Sequence, residues 1–193
     1  MEEEEEEEET KMGPFEFLWL TVFIIFVFIA FVRKYNCELG TTTLIFVTLF
    51  LITYLSLPRM PMVLNSVYQK LFHTTLPPRQ MQHLMASGLS ISFIAIIFSS
   101  YAGDTFAFKG KPAKGIRGFI YNLLVGMLNG YLIAGTLWYF QDYFEYPITD
   151  FGLLQLPLTP LGETIAGYLP PYVVPPIFWA ILTAIMLLFR VRK

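Results

Sequence analysis

The stretch GFIYNLLVGMLNGYLIAGTLWYF, residues 118–140, decides the fold, together with the loop KGKPAKGIR, residues 109–117, that feeds into it. Asn122, Gly126, Asn129, Gly130 and Gly135 interrupt an otherwise hydrophobic run that carries no charge. A run of this length crosses the roughly 30 Å hydrocarbon core of a bilayer as a helix, which satisfies its own backbone polar groups. Lys109, Lys111, Lys114 and Arg117 orient that span, because basic loops stay on the cytoplasmic side. The glycines and asparagines imply that one side of the helix packs against something.

Four further stretches meet the same test. Phe15 to Val32 is broken only by Glu16 at its edge and stops at Arg33 and Lys34. Leu39 to Leu57 follows, with Pro58 and Arg59 marking its end, so the first two spans form a tight helical hairpin. Leu84 to Gly103 is the third span, 118–140 the fourth, and Val173 to Phe189 the fifth, closed by Arg190, Arg192 and Lys193. Pro175 and Pro176 fit a first helical turn, where a missing amide donor is not needed. The sequence therefore predicts an all-α polytopic membrane protein of about five spans, with residues 15–193 as one transmembrane domain.

Composition agrees: 55% of residues are hydrophobic and 15% charged, against roughly 25% charged in an ordinary soluble domain. Eight of the fifteen acidic residues form the run Glu2 to Glu9, and without it 13 basic residues face 7 acidic ones. That basic excess suits loops beside an anionic leaflet and calls for no nucleic acid. Residues 1–14, dominated by the acidic run, are expected to stay disordered, since self-repelling carboxylates bury nothing against chain entropy. The run reads as a solvated tail, with an electrostatic tether for a basic partner or divalent cations as the sharper alternative. Cys37 is the only cysteine, which rules out an internal disulfide and a thiolate cluster. Its juxtamembrane position leaves a structural thiol or a palmitoylation site as readings.

Counting Lys and Arg near span ends sets the expected topology. The turn after span one, the loop after span three and the C-terminus together hold nine, against four at Lys11, Arg59, Lys70 and Arg79 on the other side. Nine against four favours an external N-terminus and a cytoplasmic C-terminus. The start lacks a basic n-region and cleavage site, so Phe15 to Val32 is expected to remain as a signal anchor.

Two segments read as lying on the membrane. Met62 to Phe72 places Val63, Val67 and Leu71 on one helical face, as in a short interfacial helix. Leu153 to Leu169 is apolar but interrupted by Pro157, Pro160 and Gly162, which predicts a re-entrant or interfacial segment with Leu161, Ile165 and Leu169 facing inward. Tyr139, Tyr143, Tyr146, Tyr168 and Tyr172 crowd the same side as an aromatic belt.

Within the spans, Ala95, Ser99 and Gly103 recur at intervals of four, as do Gly126, Gly130 and Ala134. That spacing puts each set on one face, and small faces let helix backbones approach closely. Spans three and four are accordingly expected to pack as an antiparallel pair. Asn122 and Asn129 require hydrogen-bond partners in lipid, either as interhelical glue or as the lining of a polar pathway for an ion or small solute.

No HExxH, GxSxG or P-loop is present; Gly110-Lys111 is followed by proline and lacks the upstream glycine. His73 and His83, ten residues apart, flank Pro77-Pro78 and read as interfacial histidines, a joint metal or haem role having no spacing rule behind it. Asp104 follows span three and Glu163 lies in the broken segment, so neither sits mid-span as a proton relay. The sequence therefore predicts a non-enzymatic protein without cofactor or metal.

Lys114-Gly115-Ile116-Arg117-Gly118, followed by LVGMLNGYLI at residues 124–133, resembles the glycine-punctuated fourth helix of the CvpA family, the colicin V production proteins. The paired N-terminal helices and the Pro-rich segment before the end fit the same pattern. The resemblance implies a small protein of the bacterial inner membrane, linked to colicin V production and envelope processes, without an established catalytic activity. A role in assembly or export follows from it, with the bilayer, further copies of the chain or other membrane subunits as partners. Two alternatives stay open on the residues: a channel or transporter component with Asn122 and Asn129 on the solute path, and an accessory subunit of a respiratory or photosynthetic complex.

Overall fold

The structure, a computed structural model, describes residues 14–102, 107–108, 113–152, 154 and 156–191. The acidic run, Lys11, Gly103, Asp104, Lys109, Lys111, Leu153, Arg192 and Lys193 lie outside the described residues. Among those described, every regular element is helical.

Helix α1, Pro14–Arg33, places Glu16 in its first turn and Arg33 in its last, the signs that suit the helix dipole. Lys34 takes φ +70 and reverses the chain directly into α2, Tyr35–Phe72. This helix has 38 residues, about 57 Å at 1.5 Å per residue and so longer than the hydrocarbon core. Pro58 and Arg59 do not end it, contrary to the sequence expectation. A π-helical segment, Leu51–Ser56, widens the turn ahead of Pro58. Arg59 Nη1 then donates to the Tyr54 carbonyl at 3.1 Å, the acceptor that Pro58 leaves without an amide partner. The predicted interfacial helix at 62–72 is therefore the outer end of α2, with Val63, Val67 and Leu71 exposed along one face. His73, at φ +59, terminates it.

Helices α3, Pro78–Tyr101, and α4, Gly115–Tyr143, complete a set of four long enough and apolar enough to cross a membrane. The molecule is an all-α polytopic membrane protein. Beyond α4 come a 3-10 turn, Pro147–Phe151, then the short helices α5, Pro160–Gly167, and α6, Pro170–Val173. The last helix, α7, Pro176–Val191, has 16 residues, about 24 Å. Four membrane-length helices and one shorter apolar helix thus stand at the five spans read from sequence, of which the fifth is the shortest. α7 packs on α2, where the Trp179 and Phe46 rings lie 5.7 Å apart.

α1 and α4 run antiparallel and form the most extensive helix contact in the chain. The glycine spacing explains it: a Cβ on Gly126 would lie 2.8 Å from Ala30 Cβ, and one on Gly130 would lie 2.8 Å from the Phe23 carbonyl oxygen. The small face of α4 therefore packs against α1, not against α3 as the sequence reading had it. α3 instead buries Met85, Ala86, Leu89, Phe93 and Ile97, and leaves Ala95 and Ser99 exposed. Bulky side chains at this spacing make more packing contacts with the neighbouring helices than Ala95 and Ser99 would, and packing drives helix association in lipid, so they take the inward face. Ala134, next on the α4 face, is buried, and Gly135 admits Pro170 so closely that a Cβ would sit 2.5 Å from its ring. α5 turns Gly162 and Ala166 inward, and Leu169 beyond it is fully buried. Leu161 faces out and Ile165 is half-buried, which corrects the expected inward trio.

Candidate functional site

The end of the bundle that carries Arg33, Lys34, Lys114, Arg117 and Arg190 is the basic face; the end with Arg79, Asp142, Glu145 and Asp150 is the loop face. Just inside the basic face, one polar cluster ties together all four long helices. Glu38, in the first turn of α2, is fully buried. Its Oε1 accepts from Arg33 Nη1 of α1 at 3.0 Å, and its Oε2 accepts from Asn129 Nδ2 of α4 at 2.9 Å and from Tyr101 OH of α3 at 3.4 Å. Arg33 Nη2 also donates to the Ser100 carbonyl at 3.0 Å, and its guanidinium lies 4.3 Å from the Tyr101 ring centroid. Thr42 places its hydroxyl 2.7 Å from Asn129 Oδ1 and 2.9 Å from the Glu38 carbonyl. Thr41 and Ser100 meet at 3.1 Å across α2 and α3.

The local sequence makes this arrangement natural. The one-residue turn at Lys34 brings Arg33, at the end of α1, beside Glu38, at the start of α2. Thr41 and Thr42 then continue the polar face one turn on. A carboxylate buried in a low-dielectric interior needs a countercharge and further donors; here one carboxylate receives both. Asn129, fully buried, has partners for both its carbonyl and its amide group. Such saturation describes a clamp between helices.

Asn122 lies about two turns nearer the basic face and is half-buried. Its Oδ1 accepts from Tyr35 N at 2.8 Å, so α4 caps the first turn of α2, whose own N-cap residue, Lys34, has no acceptor to offer. The two asparagines share a helix but serve different ends of the same contact.

The loop face is held by two polar contacts that the sequence reading missed. Glu16, almost fully buried, accepts from the Thr159 hydroxyl, and Thr159 in turn accepts from Gly162 N at 3.1 Å as the N-cap of α5. A Cβ on Gly162 would collide with Glu16 Oε1, so any side chain there has to displace the Glu16 carboxyl group from Thr159. Asp150 receives Arg79 Nη2 at 2.6 Å and Nε at 2.7 Å, with His83 Nε2 at 2.7 Å. The hydrogen bonds from Arg79 and then His83 hold its carboxyl well below the usual carboxylate range. Burial, and then the Asp142 carboxylate that accepts its proton, push the Tyr146 hydroxyl up; Tyr172, bonded to the same Asp142 at 2.6 Å, moves the same way for the same reasons. Of the five tyrosines read as a belt, Tyr139 and Tyr146 are buried, while Tyr143, Tyr168 and Tyr172 are exposed.

Among the described residues, no three His, Cys, Asp or Glu side chains converge. His73 is exposed at the end of α2, His83 is engaged by Asp150, and Glu163 is exposed in the first turn of α5. Cys37 is half-buried in the first turn of α2. Glu38 was legible only in hindsight, by its place five residues after Arg33 and just ahead of three threonines.

Fold and cluster define the class: a helical membrane protein whose spans are joined by an interhelical polar clamp. No protein-family model, curated protein or solved structure matches the chain.

Proposed function

We propose that the chain is a non-catalytic, CvpA-like protein of the bacterial inner membrane, N-terminus outside and C-terminus cytoplasmic, that acts by assembling with membrane partners. The observation that carries this reading is Asn129. As a polar residue at mid-span it is the natural candidate for a solute path, yet it is fully buried and bonded on both sides to Thr42 and Glu38. Interhelical hydrogen bonds of this kind are packing glue. Exposed Ala95 and Ser99 on α3 add a surface of small residues, the type that admits a neighbouring helix closely. The basic face supports the cytoplasmic assignment for the C-terminal end, and the LVGMLNGYLI segment supports the family link.

Purification from native membranes in mild detergent tests it. The reading expects the chain in a stoichiometric assembly with further copies or other subunits, which Asn129→Leu disrupts. A solitary monomer would count against it. Loss of a defined solute flux in Asn122→Leu/Asn129→Leu, with assembly intact, would move the protein to the channel class.

A further inference from the structure

Arg33 and Lys34 are adjacent but serve opposite sides of the chain. Arg33 is spent on the clamp, while Lys34 lines a separate cavity of about 370 Å³ at the basic face. Lys114 lines it from the start of α4, together with Asn122, and the Phe31 and Phe119 rings, 5.1 Å apart, form its apolar wall. Among the described residues, no acidic side chain lines it. Among the described residues, neither lysine has an ion-pair partner. Asn122 uses its Oδ1 on Tyr35 N, and its amide NH₂ has no partner among the described residues. Ala113 N donates to Tyr35 OH at 3.2 Å, which holds the Lys114 end of the loop against α2.

We infer that this cavity binds the phosphate of an anionic phospholipid, with the acyl chains lying along Phe31 and Phe119. Charge complementarity identifies the headgroup: two ammonium groups and an amide donor meet in one concavity with no carboxylate among the described residues. The rim identifies the source as a lipid. Val32, Ile116 and Phe119 beside the site are 81%, 78% and 56% exposed, so a ligand with a hydrocarbon part covers what a free anion would leave bare. The position fits as well, since the cavity lies where two membrane-length helices, α1 and α4, end and begin. Basic pockets between spans are recurrent sites for anionic headgroups. The inference requires the chain to be in a membrane and is independent of the assembly proposal.

The test uses the full chain in neutral detergent, titrated with phosphatidylglycerol or phosphatidylcholine and read by native mass spectrometry. Wild type is expected to prefer phosphatidylglycerol. Lys34→Gln and Lys114→Gln are each expected to weaken that binding by about 5-fold, the worth of one basic residue beside an anionic lipid. The paired Lys→Arg variant retains it, and Lys70→Gln on the loop face leaves it unchanged. Thermal unfolding of each variant checks that the fold is kept, and single-lysine variants stand in if the double variant fails. Equal binding of the two lipids, unchanged binding in both Gln variants, or an equal loss in Lys70→Gln would overturn the site. Binding of glycerol 3-phosphate as tight as that of the lipid would overturn its assignment to a lipid.

Discussion

Gly126→Ala is the smallest change that the α1–α4 contact cannot absorb. The added Cβ would lie 2.8 Å from Ala30 Cβ and 3.2 Å from both Val27 Cα and the Val27 carbonyl oxygen. Carbon atoms rest at about 3.5–4.0 Å, so relief requires the two helices to separate by about 1 Å. No rotamer change provides it, because the contacts on α1 are backbone and a methyl group. Overpacking of this kind costs about 1–3 kcal/mol, and alanine returns up to about 1 kcal/mol of helix propensity relative to glycine. A net loss of up to about 2 kcal/mol is expected. Gly88→Ala on α3 is the control, because its Cβ meets nothing within 4 Å; it should be neutral or slightly stabilising. Reversible unfolding of the full chain in mixed micelles, followed by tryptophan fluorescence against SDS mole fraction, reads both. A Gly126→Ala variant as stable as Gly88→Ala, which shares the propensity gain without the contact, would refute the close α1–α4 approach.

Further outcomes follow from the polar contacts. Asn129→Leu removes the donor to Glu38 Oε2 and the acceptor for Thr42, and should cost about 2–4 kcal/mol in the same assay, from interhelical bonds of about 0.6–1.7 kcal/mol and a less satisfied buried carboxylate. Asn122→Leu, which loses one half-buried bond, should cost about 1 kcal/mol or less. Gly162→Ala drives a methyl group into the Glu16 carboxylate, so hydrogen exchange should accelerate in Pro160–Gly167 and stay unchanged in α2. The depressed carboxyl of Asp150 gives the docking of residues 145–151 on α3 a pH signature. Its contribution is complete above the ordinary carboxyl value of 3.8 and is lost as pH falls below it through the lower folded value. Protection of that segment against hydrogen exchange, taken relative to the intrinsic rate at each pH, should therefore be flat from neutral pH down to the carboxyl range and fall below it, with Asp150→Asn already poorly protected at neutral pH.

The long spans were legible because hydrophobic length is a one-dimensional property. Phe15 to Val32 needed no knowledge of its neighbours, and α1 ends within a residue of that reading. Pro58 misled because the rescue of a proline in a helix is local chemistry, an Arg59 guanidinium on the Tyr54 carbonyl, that a hydropathy window does not register. Helix pairing was legible in kind and not in partner: Gly126 and Gly130 identify a close-packing face, but their spacing is silent on what fills it. Ala95 and Ser99 show the converse, since small residues also occur on a helix side that no other described part of the chain covers. The clamp was half visible. Asn129 stands out at mid-span, whereas Arg33 and Glu38 look like ordinary flanking charges until the turn at Lys34 folds one onto the other.

Glu38 and Asn129 act together to hold the spans, and a double-mutant cycle reads their coupling. Glu38→Ala, Asn129→Ala and the double variant, compared with wild type in the mixed-micelle unfolding assay, isolate the pairwise energy. A charge-assisted bond buried at 2.9 Å predicts a coupling of at least about 1 kcal/mol. Additivity of the two single losses, within about 0.5 kcal/mol, would contradict the clamp.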